Sequence, residues 1–102
     1  MYFIYKKTNQ KVAIITGGSS GIGRATAVAL AKEGIKVAVA DLHAKDWEET
    51  VQLVKEAGSD GIFVKTDVAN DDDVRSLVEK TVKTYGRLDY AFNNAGISEK
   101  PT

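Results

Sequence analysis

Glycines between an apolar run and an alanine-rich stretch constrain the fold of this sequence most. The segment TGGSSGIG, residues 16–23, directly follows the strand-like run 12–15 and directly precedes a helical stretch. Glycine adopts left-handed backbone conformations readily and lets another group approach the backbone closely. At a helix N-terminus, N–H groups and aligned peptide dipoles together favour an anion. A strand, a glycine turn and a helix in this order therefore predict a phosphate-binding loop.

The hydrophobic pattern alternates between strands and helices along the chain. It predicts strands over residues 12–16, 36–41, 62–65 and 88–93, and helices over 21–33, 45–57 and 71–85. Because the strands are continuously apolar, we expect a parallel sheet that helices cover on both faces. Right-handed crossovers favour the strand order 3-2-1-4, which is half of a doubly wound, Rossmann-like α/β fold. A ligand crevice is expected where strands 1 and 4 diverge.

Length and composition are those of one ordinary globular domain. The chain has 102 residues with 14 basic and 14 acidic side chains and no cysteine. Balanced charge argues against a nucleic-acid partner, and every apolar stretch is shorter than the roughly 18 to 20 residues of a membrane span. We expect an N-terminal tail over residues 1–10, one nucleotide-binding domain over 11–102, no metal site and a cytoplasmic location. The acidic run 71–73 is interpreted as helix capping, because its spacing does not fit a calcium loop.

Motifs at the predicted strand ends resemble those of the short-chain dehydrogenases/reductases. The loop TGGSSGIG is similar to the cofactor loop of that family, and Asp67 with Val68 matches its acidic position after strand 3. The sequence NNAG at residues 93–96 matches the end of its strand 4. The resemblance covers about residues 11–97. It implies an oxidoreductase that transfers hydride between a nicotinamide dinucleotide and an alcohol or carbonyl substrate.

The family match assigns cofactor-binding roles to residues at four strand ends. Gly17 permits the tight turn, Gly21 lets the backbone approach the diphosphate, and Gly23 allows close packing of the helix. The full set is Gly17, Ser19, Ser20, Gly21, Ile22, Gly23, Asp41, Leu42, Asp67, Val68, Asn94, Ala95 and Gly96.

Asp41, at the end of the second predicted strand, favours NAD over NADP. A carboxylate accepts hydrogen bonds from the ribose hydroxyls of adenosine but repels the 2′-phosphate of NADP. Ser20 and Leu42 agree with this preference, because NADP-binding members of the family often carry a basic residue at one of these positions. The alternative is that Asp41 caps the following helix.

Structural roles are alternatives for several other positions. Ser19 and Ser20 can cap the first helix, and Asp67 can stabilise a turn. By resemblance, Asn93 and Asn94 tie strand 4 to the backbone near Thr16. Arg24 is expected to be a solvated helix residue outside the site. Trp47 is expected to pack in the core rather than to stack on a ligand.

No catalytic residue is assigned in this sequence. The family uses Tyr-x-x-x-Lys with a nearby Ser, all downstream of NNAG, whereas the literal match Tyr2 and Lys6 precedes the first strand. We therefore expect the chain to be a fragment that binds NAD but does not turn over alone, with substrate bound only in a full-length parent. The alternatives are a stand-alone nucleotide-binding module or a module that forms homo-oligomers through the edge of strand 4.

Overall fold

The computed structural model describes residues 10–19, 21–42 and 47–94, which form a parallel sheet flanked by helices. The elements are β1 (Val12–Thr16), α1 (Gly21–Lys32), β2 (Lys36–Asp41), α2 (Trp47–Glu56), β3 (Gly61–Lys65), α3 (Asp71–Tyr85) and β4 (Tyr90–Asn93). The strand order β3-β2-β1-β4 confirms the predicted half of a Rossmann-like fold. Residues 1–9 of the predicted tail 1–10 and the predicted helix start at residue 45 lie outside the described residues.

Two apolar clusters occupy the two faces of the sheet. The first contains Ile15 and packs β1 and β2 against α1 and α2; its buried members are Ile15, Ala27, Ala31, Val37, Val39, Val51 and Val54. The second contains Ile14 and packs the other face against α3; its buried members are Ile14, Ala38, Ala40, Val64 and Leu77. Successive residues of a strand point to opposite faces. Coverage on both faces explains why β1 is apolar at nearly every position.

Strand β4 lies at the edge of the sheet and is exposed along its whole length. It pairs with β1 through Ala13 and Tyr90 and through Ile15 and Phe92. The aromatic side chains of Tyr90 and Phe92 are 39% and 36% exposed. The apolar pattern predicts a strand buried on both faces, whereas all four residues of β4 are exposed in the described part of the chain.

A carboxylate just before β4 fixes this strand to β1. Asp89 Oδ2 accepts a hydrogen bond from Val12 N–H at 2.9 Å, and Asp89 N–H donates to the Val12 carbonyl at 2.9 Å. Arg87 donates two further bonds to the Asp89 carboxylate, from Nε at 2.9 Å and from Nη2 at 2.8 Å. The bonds from Arg87, followed by the bond from Val12, hold the pKa of Asp89 below its ordinary value.

Local hydrogen bonds and backbone conformation explain where α1 ends and where α3 begins. After α1, Gly34 has a φ of 83°, and its N–H donates to the Ala31 carbonyl at 2.9 Å. The N-cap of α3 is Asn70, whose side chain accepts a bond from Asp73 N–H at 3.1 Å. The expectation that the acidic run itself caps α3 is therefore corrected, because its three aspartates occupy the first helical turn after the cap. Negative charge in the first turn interacts favourably with the positive end of the helix dipole.

Trp47 begins α2 and packs against the first cluster. Its ring stacks on Phe63, with ring centroids 5.0 Å apart and planes inclined by 17°. The expectation that Trp47 is a packing residue is confirmed. Among the described helices, none has the length and apolar character needed to cross a membrane.

Candidate functional site

The carboxyl ends of the strands form one edge of the sheet, and the predicted site residues that are described lie there. Thr16, the last residue of β1, is paired with Ala40 of β2 on one side and with Asn93 of β4 on the other. Asp41 is paired with Lys65 of β3. Parallel strands end at the same edge, so the glycine loop, Asp41 and Asn94 emerge as neighbours. Ligands of open α/β sheets bind outside this edge.

The glycine loop turns sharply after β1. Gly17 has a φ of 68° and Gly21 a φ of 59°, in the left-handed region that favours glycine. Gly17 N–H donates to the Ala40 carbonyl at 2.7 Å, which ties the start of the loop to β2. The chain can therefore leave β1 and enter α1 within a few residues.

Two other glycines are required by close packing. A β-carbon at Gly23 would lie 2.0 Å from the Gly17 carbonyl oxygen, and one at Gly18 would lie 2.9 Å from Val39 Cγ1. Around a β-carbon at Gly21, by contrast, no heavy atom lies within 4 Å. Gly23 thus lets α1 begin directly against the loop, while the backbone at Gly21 faces open space. The packing role of Gly18 was missed, because its neighbour Val39 comes from another strand.

Asp41 contacts the loop. Its Oδ2 accepts a hydrogen bond from Ser19 N–H at 3.2 Å. The carboxylate therefore lies beside the predicted phosphate loop. Residues 43–46, which precede the first described residue of α2, lie outside the described part of the chain, so the alternative capping role stays a prediction.

Arg24, in the first turns of α1, bridges the loop and α2. Its Nη2 donates to the Ser19 carbonyl at 2.6 Å and its Nε to Thr50 Oγ1 at 2.9 Å. Its Nη1 lies 3.2 Å from Glu49 Oε1, and its side chain is 24% exposed. The expectation that Arg24 is a solvated helix residue is therefore wrong. Helical periodicity around Arg24 contains no signal for partners that are 5 to 26 residues away in sequence.

The ends of β1 and β4 are joined through the Thr16 hydroxyl. Thr16 Oγ1 donates to Asn93 Oδ1 at 2.7 Å and accepts from Asn94 N–H at 3.0 Å. The predicted tie between Asn93 and the region of Thr16 is thus observed, with the Thr16 side chain rather than its backbone as the partner of Asn93. This bridge fixes the start of the segment after β4.

Two buried polar atoms at this edge lack a hydrogen-bond partner among the described residues. They are Ser19 Oγ and Asn94 Nδ2. Buried polar atoms are usually paired, with protein or with ordered solvent or ligand. Both atoms belong to predicted cofactor-binding residues, one on each side of the crevice between β1 and β4.

The segment after β3 has a structured turn. Asp67 Oδ1 accepts a bond from Ala69 N–H at 2.9 Å, and Asp67 N–H donates to Asp73 Oδ2 at 2.9 Å. The alternative turn role of Asp67 is therefore observed. A turn role is compatible with a ligand contact, because a carboxylate has several acceptor positions.

Three predicted site residues expose large apolar side chains at this edge. Ile22 is 65% exposed, Leu42 46% and Val68 40%. They come after β1, β2 and β3 respectively, and these three strands are neighbours in the sheet. The remaining predicted residues, Ser20, Ala95 and Gly96, lie outside the described part of the chain.

A family model described as "short chain dehydrogenase" matches residues 11–102. Among curated proteins, an uncharacterized oxidoreductase of Thermotoga maritima is 48% identical over 87 residues, which are 85% of this chain and 34% of that protein. Secoisolariciresinol dehydrogenase of Forsythia intermedia is 43% identical over 96 residues, which are 94% of this chain and 34% of that protein. The chain thus spans about a third of the length of these relatives.

Solved structures share the fold as well as the sequence pattern. The crystal structure of an NAD⁺-bound xylitol dehydrogenase superimposes with a TM-score of 0.80 and 36% identity. The match covers 84% of this chain and 33% of that protein. The family model spans the loop, the strand ends and the segment after β4 together. The chain belongs to the short-chain dehydrogenase/reductase family.

Proposed function

We propose that this chain is the NAD-binding part of a longer oxidoreductase. The observation that carries the proposal is the hydrogen bond between the Asp41 carboxylate and Ser19 N–H. It brings an acceptor for ribose hydroxyls next to a helix N-terminus suited to a diphosphate. The cofactor-bound xylitol dehydrogenase, to which the chain is similar, supports a nicotinamide dinucleotide as the ligand.

The first turn of α1 is the proposed diphosphate site. The N–H groups of Gly17 and Ser19 are already bonded, to Ala40 and Asp41. The first N–H groups of a helix have no acceptor within the helix, so those of Gly21, Ile22 and Gly23 are the proposed donors. The open space at Gly21 leaves room for an anion to reach them.

The neighbouring strand ends are the proposed adenosine site. Asp41 would accept hydrogen bonds from the ribose, and the exposed side chains of Leu42 and Val68 would cover apolar ring surface. Asp67 remains the proposed acceptor for the adenine amino group. Ser19 Oγ and Asn94 Nδ2, which are buried without a hydrogen-bond partner among the described residues, fit a ligand that supplies such partners. Ser20, Ala95 and Gly96 complete the proposed set.

For the longer protein, we propose transfer of hydride between the nicotinamide ring and an alcohol or carbonyl carbon. The names of the relatives support this class, since secoisolariciresinol dehydrogenase and xylitol dehydrogenase are both described as dehydrogenases. No residue of this chain is proposed as catalytic. Its residues bind and orient the cofactor, and the small alcohol or carbonyl substrate is a partner of the longer protein. A cytoplasmic location is also proposed for the longer protein.

Titration calorimetry with NAD and NADP tests the proposal. We expect wild-type chain to bind NAD at least about tenfold more tightly than NADP, because Asp41 repels the 2′-phosphate. In Asp41→Asn, loss of charge-assisted bonds should weaken NAD binding by about tenfold and reduce the discrimination against NADP. Asp72→Asn is the matched control, because Asp72 is 87% exposed and pairs with Arg75 on α3. Binding of neither nucleotide by wild type would contradict the cofactor site; equal binding of both would contradict the role of Asp41.

Self-association through β4 is a second candidate function. The observation that favours it is the exposed edge strand with two aromatic side chains, Tyr90 and Phe92, whose ring centroids are 6.4 Å apart. An unpaired strand edge offers N–H and carbonyl groups to another strand. A homo-oligomer formed by a second copy of the chain is the proposed assembly, which a concentration series in analytical ultracentrifugation measures.

A further inference from the structure

We propose that Arg24 is a positioning residue that holds the cofactor loop in its binding conformation and couples it to α2. The inference rests on the proposed NAD site but concerns a residue outside the cofactor-binding set. Arg24 contacts the loop at Ser19 and α2 at Glu49 and Thr50. In sequence, the loop and α2 are separated by the rest of α1 and by β2.

On the loop side, Ser19 is held at both of its backbone polar groups. The Arg24 guanidinium donates to the Ser19 carbonyl at 2.6 Å, and the Asp41 carboxylate accepts from Ser19 N–H at 3.2 Å. Both bonds involve a charged partner, which makes them stronger than bonds between neutral groups. Fixing a loop residue before a ligand arrives reduces the ordering cost of binding.

On the helix side, the guanidinium is anchored to the packed body of the protein. Thr50, which accepts from Nε, is fully buried. Glu49, opposite Nη1, is 64% exposed and adds an ion pair. Three nitrogen atoms of one planar group thus contact three different residues. A lysine ammonium is a compact charge on a flexible stem and does not reproduce this fork.

The placement of Arg24 predicts a larger effect on the loop than on the core. The first cluster is built from aliphatic side chains of β1, β2, α1 and α2 and does not include Arg24. Removing the guanidinium therefore leaves that packing in place but releases the Ser19 carbonyl. The loop then samples more conformations, of which only some present the α1 N-terminus and Asp41 together.

Two measurements on the 102-residue chain test this inference: the dissociation constant for NAD by calorimetry, and amide hydrogen exchange without ligand. In Arg24→Met we expect NAD binding to weaken by about tenfold. Exchange at the Ser19 amide should accelerate, while exchange at Ile14 and Ile15 in β1 stays close to wild type. Arg24→Lys should recover only part of the affinity. Arg75→Met is the matched control, because Arg75 forms a surface pair with Asp72 and is 68% exposed.

The outcomes separate this inference from the proposed function. Wild-type NAD binding with an unchanged dissociation constant in Arg24→Met overturns the positioning role alone. Failure of wild type to bind NAD overturns the proposed function and this inference with it. If Arg24→Met does not fold, Glu49→Gln decides, because it removes only the partly exposed ion pair. That variant should weaken NAD binding by about twofold, and wild-type affinity together with wild-type exchange at Ser19 would overturn the inference.

Discussion

Gly21 and Gly23 are required in the glycine loop for different reasons. At Gly23 a β-carbon overlaps the Gly17 carbonyl, whereas at Gly21 the strain comes from the φ of 59° and the surrounding space is open. One glycine therefore serves packing inside the protein and the other faces the proposed ligand. A single spacing motif thus contains two different physical requirements.

The change Gly23→Ala tests the packing requirement. A contact of 2.0 Å between the new β-carbon and backbone oxygen forces the loop away from α1. We expect NAD affinity to fall by at least about tenfold, since the helix N-terminus and the loop no longer align. Calorimetry measures this, with circular dichroism as the check on folding.

Gly58→Ala is the matched control for that change. Gly58 has a φ of 105° in a turn far from the loop in sequence, and a β-carbon there meets nothing within 4 Å. It should lower the free energy of unfolding by about 1 kcal/mol through backbone strain and leave NAD affinity unchanged. Equal affinity in Gly23→Ala and wild type would contradict the packing role.

Local sequence was sufficient for residues whose role is set by their immediate neighbours. The turn at Gly17 is of this kind. The packing of Trp47 was predicted from its helical spacing with Val51 and Val54, which are buried. It was insufficient for Arg24, whose partner Thr50 is 26 positions away. It also missed Asn70 as the cap of α3, because the three aspartates after it carry the more obvious charge signal while the capping side chain is decided by backbone conformation.

At the scale of elements, β4 is fixed to β1 at both ends. Asp89 bonds Val12 at the amino end, and Thr16 bonds Asn93 at the carboxyl end. The sequence predicts a strand over residues 88–93, whereas the strand begins at Tyr90. Leu88 packs against the second cluster and Asp89 turns its carboxylate to β1, so the chain is still entering the sheet there.

The Asp89 anchor predicts an acid-sensitive stability. The pKa of Asp89 in the folded chain is lowered, first by Arg87 and then by Val12, below an unfolded value of about 3.9. Its contribution to the free energy of unfolding is therefore present above about pH 4 and is lost as the pH falls through the folded-state pKa. We expect the urea midpoint of Asp89→Asn to depend less steeply on pH in this acidic range than that of wild type.

Asp72→Asn is the reference for the acid titration, because Asp72 is an exposed aspartate on α3. It should retain the wild-type pH dependence at low pH. Identical acid profiles for Asp89→Asn and wild type would show that the carboxylate does not stabilise the joint between β1 and β4.

At the scale of the whole molecule, burial is uneven across the sheet. Helices cover both faces near β1 and β2, while β4 and part of α3 expose large apolar side chains, among them Val78, Val82 and Phe92. The fold class and strand order followed from apolar strands alternating with amphipathic helices. The predicted strand order also placed β4 at the edge of the sheet. The exposure of its faces could not be predicted from its sequence, because an apolar strand has the same pattern whether or not helices cover its faces.

The exposed edge predicts concentration-dependent self-association of this chain. Phe92→Lys should weaken it, because a charged side chain on an edge strand opposes pairing with a second copy. We expect the weight-average mass in analytical ultracentrifugation to rise with concentration for wild type and to rise less for Phe92→Lys. Leu42→Lys is a control at a different exposed apolar site. A wild-type chain that stays monomeric at all concentrations would contradict this assembly.

The two anchors of β4 determine how accurately the segment beginning at Asn94 is placed. A register slip of two residues would move Asn94 by about 6.6 Å along the sheet, and it would break the bonds at Val12 and at Thr16 together. Hydrogen bonds at both ends of β4 therefore fix its register against β1. Asn94, the last described residue, is thereby held next to Thr16, which directly precedes the glycine loop.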